Sequence, residues 1–275
     1  MFLRSPLFRT WALVSLLANA VAIATIVVLL SRPSPTTAEG RSGAIANVSS
    51  RQAVPKEPEA GERHYLDYEE WVEVLEKEAR AVAESEPKRL AVLAGDSITL
   101  WFPDRLLSPD RVWLNQGISG EVSQGLFDRL SVLDETEPET VFVMIGINDL
   151  LRGIDDETVI ENHRKIVRDI QQYHPETQIV IQSILPHSAE ESTWEGRDRL
   201  ENVPNDRIRR LNDRLEELAA AEGAIYFDLY AFFVDEEGKL PMELSTDGLH
   251  LNETGYWVWR TALLQFDRLE LEARR

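Results

Sequence analysis

Apolar residues at Tyr68, Trp71, Val72, Leu75, Ala79 and Val82 recur at the three-and-four spacing of one helix face, and predict a helix over 67–84 that closes before Pro87. Beyond it the rhythm changes to short continuous apolar runs. Leu90–Ala94, Val112–Leu114, Thr140–Ile145 (TVFVMI), Ile179–Ile184 (IVIQSI) and Ala224–Leu229 (AIYFDL) each read as a strand. Helical patterns near 121–132, 156–173, 203–222 and 252–270 alternate with them. Strands separated by helices imply parallel pairing through right-handed crossovers, hence an open α/β sandwich. Uninterrupted apolar strands fit a sheet covered on both faces. In such a sheet the site lies beyond the carboxyl ends of the strands.

Ahead of this domain, Trp11–Leu30 (WALVSLLANAVAIATIVVLL) carries no charged residue, and as a helix it would span about 30 Å, the thickness of a bilayer's hydrocarbon core. It exceeds a signal-peptide core, and the small-x-small triplet Ala18-Asn19-Ala20 lies within the run instead of after it. Residues 1–31 therefore read as a single-pass signal anchor, with secretion after cleavage as the alternative. Arg4 and Arg9 favour an N-terminus on the cytoplasmic side, with the body of the protein outside the cytoplasm. From 32 to 61 the chain turns to Pro, Ser, Thr, Ala, Gly and Glu without apolar periodicity, which reads as a flexible linker. The expected domain occupies 62–275.

The net charge of −19, from 48 acidic and 29 basic residues, disfavours a nucleic-acid partner, because a phosphate backbone needs a basic footprint. The absence of cysteine removes disulfides, thiolate metal sites and cysteine nucleophiles. No partner protein is evident.

Three polar, glycine-bearing turns fall on one edge of the expected sheet: Gly95-Asp96-Ser97 after the first core strand, Asn115-Gln116-Gly117 after the second, and Gly146-Ile147-Asn148-Asp149 after the third. A fourth element, Asp247-Gly248-Leu249-His250, precedes the last helix. Chemistry links the four. A serine hydroxyl needs a base within about 3 Å. His250 can supply it if Asp247, three residues earlier, holds one ring nitrogen protonated. The oxyanion that forms needs donors already aimed at it, and Ser97 N–H at a helix start, Gly117 N–H and the Asn148 side-chain amide are the candidates.

These blocks, in this order, resemble the SGNH hydrolases, the wider group around the GDSL esterases and lipases. GDS carries the nucleophile at Ser97, NQGISG the oxyanion glycine at Gly117, GIND the oxyanion asparagine at Asn148, and DGLH the pair Asp247 and His250. Ile98 stands where the best-known form of the first block has leucine. The resemblance covers about 88–268. It implies a flavodoxin-like three-layer α/β/α sandwich with a mainly parallel five-stranded sheet. It also implies acyl transfer through an acyl-serine intermediate without metal or organic cofactor, on small-molecule or polymer-borne esters of lipid or carbohydrate. An envelope polysaccharide O-acyltransferase would use the same triad, and a membrane-displayed binding module would need none of it.

Among the remaining residues, His64, His163 and His174 read as surface histidines. His187 and Trp194 lie in the long polar segment after the fourth strand, which is expected to run over the site edge, and both are candidate substrate contacts. Asp96 and Asp149 read as hydrogen-bond partners of loop backbone.

Overall fold

The computed structural model describes residues 66–274. Helix α1 (Tyr68–Glu84) begins with a capping box: the Asp67 carboxylate accepts from Glu70 N, and the Glu70 carboxylate accepts from Asp67 N. Strand β1 (Leu90–Gly95) leads into the single-turn helix α2 (Ser97–Leu100). Then come β2 (Val112–Gly117), α3 (Ser123–Asp128), β3 (Pro138–Met144), the short α4 (Ile147–Leu151) and the long α5 (Asp156–Tyr173). Strand β4 (Gln178–Gln182), the one-turn α6 (Arg197–Leu200), α7 (Asn205–Glu222), β5 (Ile225–Phe227) and α8 (Glu253–Phe266) complete the order.

The five strands form one parallel sheet in the order β2-β1-β3-β4-β5. Alternate residues face opposite layers. Leu90, Val92, Ala94, Val141 and Val143 pack with residues of α1, α3, α5 and α7, whereas Ala91, Leu93, Phe142 and Met144 pack with α8, including the fully buried Trp259. This is the expected α/β sandwich.

The differences from expectation are local. The pattern read as one helix near 121–132 is α3 followed by a separate 3₁₀ turn at Leu130–Leu133. The helix start expected at Ser97 is α2, a single turn; α4, which also begins just past a strand end, is too short for an apolar repeat to register. No helix among the described residues is long and apolar enough to cross a membrane. The expected anchor over 1–31 and the linker over 32–61 lie outside the described residues.

Candidate active site

The parallel register sets the site. Gly95 at the end of β1 lies level with Gly117 of β2 and Met144 of β3, so three post-strand turns emerge together. Gly117 must be glycine for a packing reason: a Cβ there would lie 2.4 Å from Leu100 N and 2.8 Å from Asp96 O. The end of β2 thus closes directly on the backbone of α2. Asp96 caps α2 by accepting from Ile98 N at 3.0 Å. On the other side, the Tyr256 hydroxyl of α8 donates to Ile98 O at 2.9 Å. Ser97 is therefore fixed in the first turn of a helix, where backbone N–H groups lack intrahelical partners.

Ser97 Oγ lies 3.0 Å from His250 Nε2, and His250 Nδ1 lies 2.8 Å from Asp247 Oδ2. The second carboxylate oxygen of Asp247 accepts from Leu249 N and His250 N, at 2.9 and 2.8 Å. Burial works to raise the Asp247 pKa, but the bonds from the His250 ring and from these amides outweigh it and hold the carboxyl below its ordinary value. A carboxylate at Nδ1 calls for a proton on that nitrogen, which leaves Nε2 to accept from the serine hydroxyl.

The loop after β4 holds the aspartate turn. Asp247 C=O accepts from Thr193 N at 2.8 Å, Trp194 N at 3.0 Å and Ser192 Oγ at 2.8 Å, and Gly248 C=O accepts from Ser188 N at 2.8 Å. Gly248 adopts φ +89°, and a Cβ there would meet Ser192 Cα at 2.6 Å. Ser245 Oγ accepts from Gly248 N and donates to His250 O, closing the turn from within.

One expected role changes. His187 is 1% exposed, with Nε2 against Val203 O and Nδ1 accepting from Ala189 N. Both ring nitrogens are engaged by backbone, so this histidine fastens the loop and presents no nitrogen to a substrate. Trp194 is half-buried against the core with the Arg199 guanidinium 5.0 Å from its ring centre, while its N–H supports Asp247.

The Gly117 N–H, expected to face the oxyanion, donates instead to Asn115 Oδ1 at 3.0 Å, while Asn115 Nδ2 reaches back to Thr99 O. Three residues on, Gly120 sits half-buried at φ +75°, and Arg152 draws its carbonyl away with a 2.6 Å bond. Asn148, half-buried in the first turn of α4, has its amide 3.4 Å from Asp96 Oδ2.

Beneath these groups are buried acids. Burial pushes Asp96 up to about 7. Burial also raises Asp149, which nonetheless caps α3 from across the site through Ser123 N and Ser123 Oγ. His163 and His174 are buried instead of exposed: His163 faces Val159 O from inside α5, and burial lowers the pKa of both rings. One neighbour was missed from sequence altogether. Trp101, at the end of α2, places its ring centre 4.4 Å from that of His250. Its position one helical turn beyond Ser97 was the available signal.

The sequence model of the GDSL-like lipase/acylhydrolase family matches residues 91–258. Platelet-activating factor acetylhydrolase IB subunit alpha1 of Bos taurus is 27% identical over 190 residues, covering 64% of this chain and 75% of that protein. The solved lipase/acylhydrolase of Enterococcus faecalis superposes with a TM-score of 0.53 at 25% identity, over 66% of this chain and 95% of that one. A GDSL-like lipase of Bacteroides thetaiotaomicron shares the fold, with a TM-score of 0.58 at 21% identity over 70% and 95%. A family match that spans most of the described domain and contains every one of the four turn motifs makes this chain a member of the GDSL-like lipase/acylhydrolase family, and an ester hydrolase of the SGNH type.

Proposed function

We propose that the chain hydrolyses short-acyl carboxylic esters of lipid or carbohydrate through an acyl-Ser97 intermediate. The observation that carries the proposal is the relay from Ser97 Oγ through His250 to Asp247, at 3.0 and 2.8 Å. In the first half, Ser97 Oγ attacks the ester carbonyl and its proton passes to His250 Nε2. Asp247 steadies the imidazolium without taking the proton. The oxyanion is met by Ser97 N–H, the Asn148 amide and, with the Gly117 N–H already engaged, the Gly120 N–H. When the intermediate collapses, the alcohol leaves with the proton from His250. In the second half, water attacks the acyl-serine, gives its proton to Nε2 and releases the acid, and Ser97 regains its proton. Each oxyanion donor contributes about 2.7–4 kcal/mol to such a step.

The preference for short acyl groups rests on the acetylhydrolase to which the chain is 27% identical. We read residues 62–275 as the catalytic unit and Trp11–Leu30 as the anchor that holds it outside the cytoplasm. The test of the chemistry is hydrolysis of p-nitrophenyl acetate by the full chain. Ser97→Ala and His250→Ala should each remove nearly all turnover, and a variant as fast as the parent would refute the assignment.

A further inference from the structure

Helix α1 lies before residue 91, outside the segment matched by the family, yet it touches the site at two places. The first is polar. The Tyr68 hydroxyl donates to Glu121 Oε1 at 3.0 Å, with Gly125 O at 3.3 Å. Glu121 forms a buried forked pair with Arg129, each 4% exposed, and Arg129 Nη2 donates to Gln116 O at 2.7 Å. From the same helix, Leu75 O accepts from Gln116 Nε2. The segment from Gln116 at the end of β2 to Glu121 in the loop beyond it is therefore gripped at both ends, and α1 contributes to each grip. The second contact is apolar. Trp71 and Leu75 form a buried cluster with Leu100 of α2 and Ile118 of the loop, and Trp101, whose ring lies tilted against that of His250, packs against that cluster.

We propose that α1 is a positioning element of the active site, with Tyr68 as the residue that clamps the 117–121 loop through Glu121 and Arg129. The proposal rests on the reading of Ser97 as nucleophile and of this loop as part of the oxyanion site. The loop meets developing charge only in the transition state, so loosening it lowers kcat and leaves KM in place. Tyr68→Phe removes only the hydroxyl and retains the ring, at a residue 43% exposed, so the fold should survive.

The full-length Tyr68→Phe protein should show kcat for p-nitrophenyl acetate about three- to tenfold lower, well short of the ~10²-fold that a 1 Å misplacement can cost. KM should hold within about twofold. The rate of fluorophosphonate labelling should fall in step with kcat, because that reaction builds the same oxyanion. Glu73→Gln, on the exposed face of the same helix, should leave all three quantities at parental values. A Tyr68→Phe protein that melts earlier but keeps parental kcat and labelling rate would make α1 merely structural and overturn the proposal. Parental turnover in Ser97→Ala would instead overturn the underlying reading, whatever Tyr68→Phe does.

Discussion

Replacing Asp247 by asparagine isolates what its carboxylate does. Oδ1 accepts from the Leu249 and His250 amides, and an asparagine carbonyl in that position keeps both bonds. Oδ2, 2.8 Å from His250 Nδ1, becomes an NH₂ group. A donor then faces Nδ1, so that nitrogen must give up its hydrogen, and the proton moves to Nε2. Nε2–H now points at Ser97 Oγ across 3.0 Å and cannot take the hydroxyl proton. The expected loss in kcat is about 10⁴-fold, the scale found when the aspartate of a serine triad is amidated, or about 5.4 kcal/mol at 1.36 kcal/mol per decade. The backbone frame is retained, because Asp247 C=O keeps its three donors. The assay is p-nitrophenyl acetate hydrolysis by the full chain, beside a thermal melt. If Asp247→Asn melts like the parent and loses less than tenfold in kcat, the carboxylate does not set the imidazole tautomer and the relay is misread.

Other outcomes follow from the surrounding shell. Burial raises Asp96 from an ordinary 3.8 to about 7, so the folded state binds its proton more tightly than the unfolded chain does. Its contribution to stability is complete below about pH 4 and is lost as pH rises to about 7; in chemical denaturation, Asp96→Asn should therefore gain on the parent across that window, and parallel pH profiles would contradict the assignment. Gly248→Ala must force an L-residue into φ +89° and a Cβ against Ser192 Cα, so it should cost at least about 1–3 kcal/mol and lower activity with it, checked by melting temperature and kcat. Ser192→Ala removes one of three donors to Asp247 C=O and should cost about 1 kcal/mol, a melting shift of about 2–4 °C for a domain of this size.

The fold was legible where burial imposes a period. In β1 the alternation of Leu90, Val92 and Ala94 with Ala91 and Leu93 divides between two cores, and the long helices α5 and α7 start within two residues of their expected limits. The start of α2 at Ser97 was legible from the GDS turn, but its one-turn length and the whole of α4 were not, since these depend on contacts across the sheet edge, such as Tyr256 to Ile98, and not on local pattern. The same limit applies to the site. The spacing of Asp247 and His250 within one turn is a local property and could be read directly. The choice between glycines of NQGISG depends on where Asn115 folds back, and that is a tertiary fact. His187 and His163 looked polar in sequence but lie inside the fold, where backbone carbonyls meet their rings. Local pattern gives Tyr68 only a place in an apolar stripe and Trp101 no role, because their partners, Glu121 and His250, are distant in sequence.

The central claim is that the Ser97 hydroxyl is the one made nucleophilic by its neighbours. Reaction of the full chain with a fluorophosphonate, followed by peptide mass spectrometry, tests it most directly. One phosphonyl group should appear on the peptide that carries Ser97, and His250→Ala should slow its appearance severely. Labelling at another serine, or labelling of Ser97 at the parental rate in His250→Ala, would contradict the account.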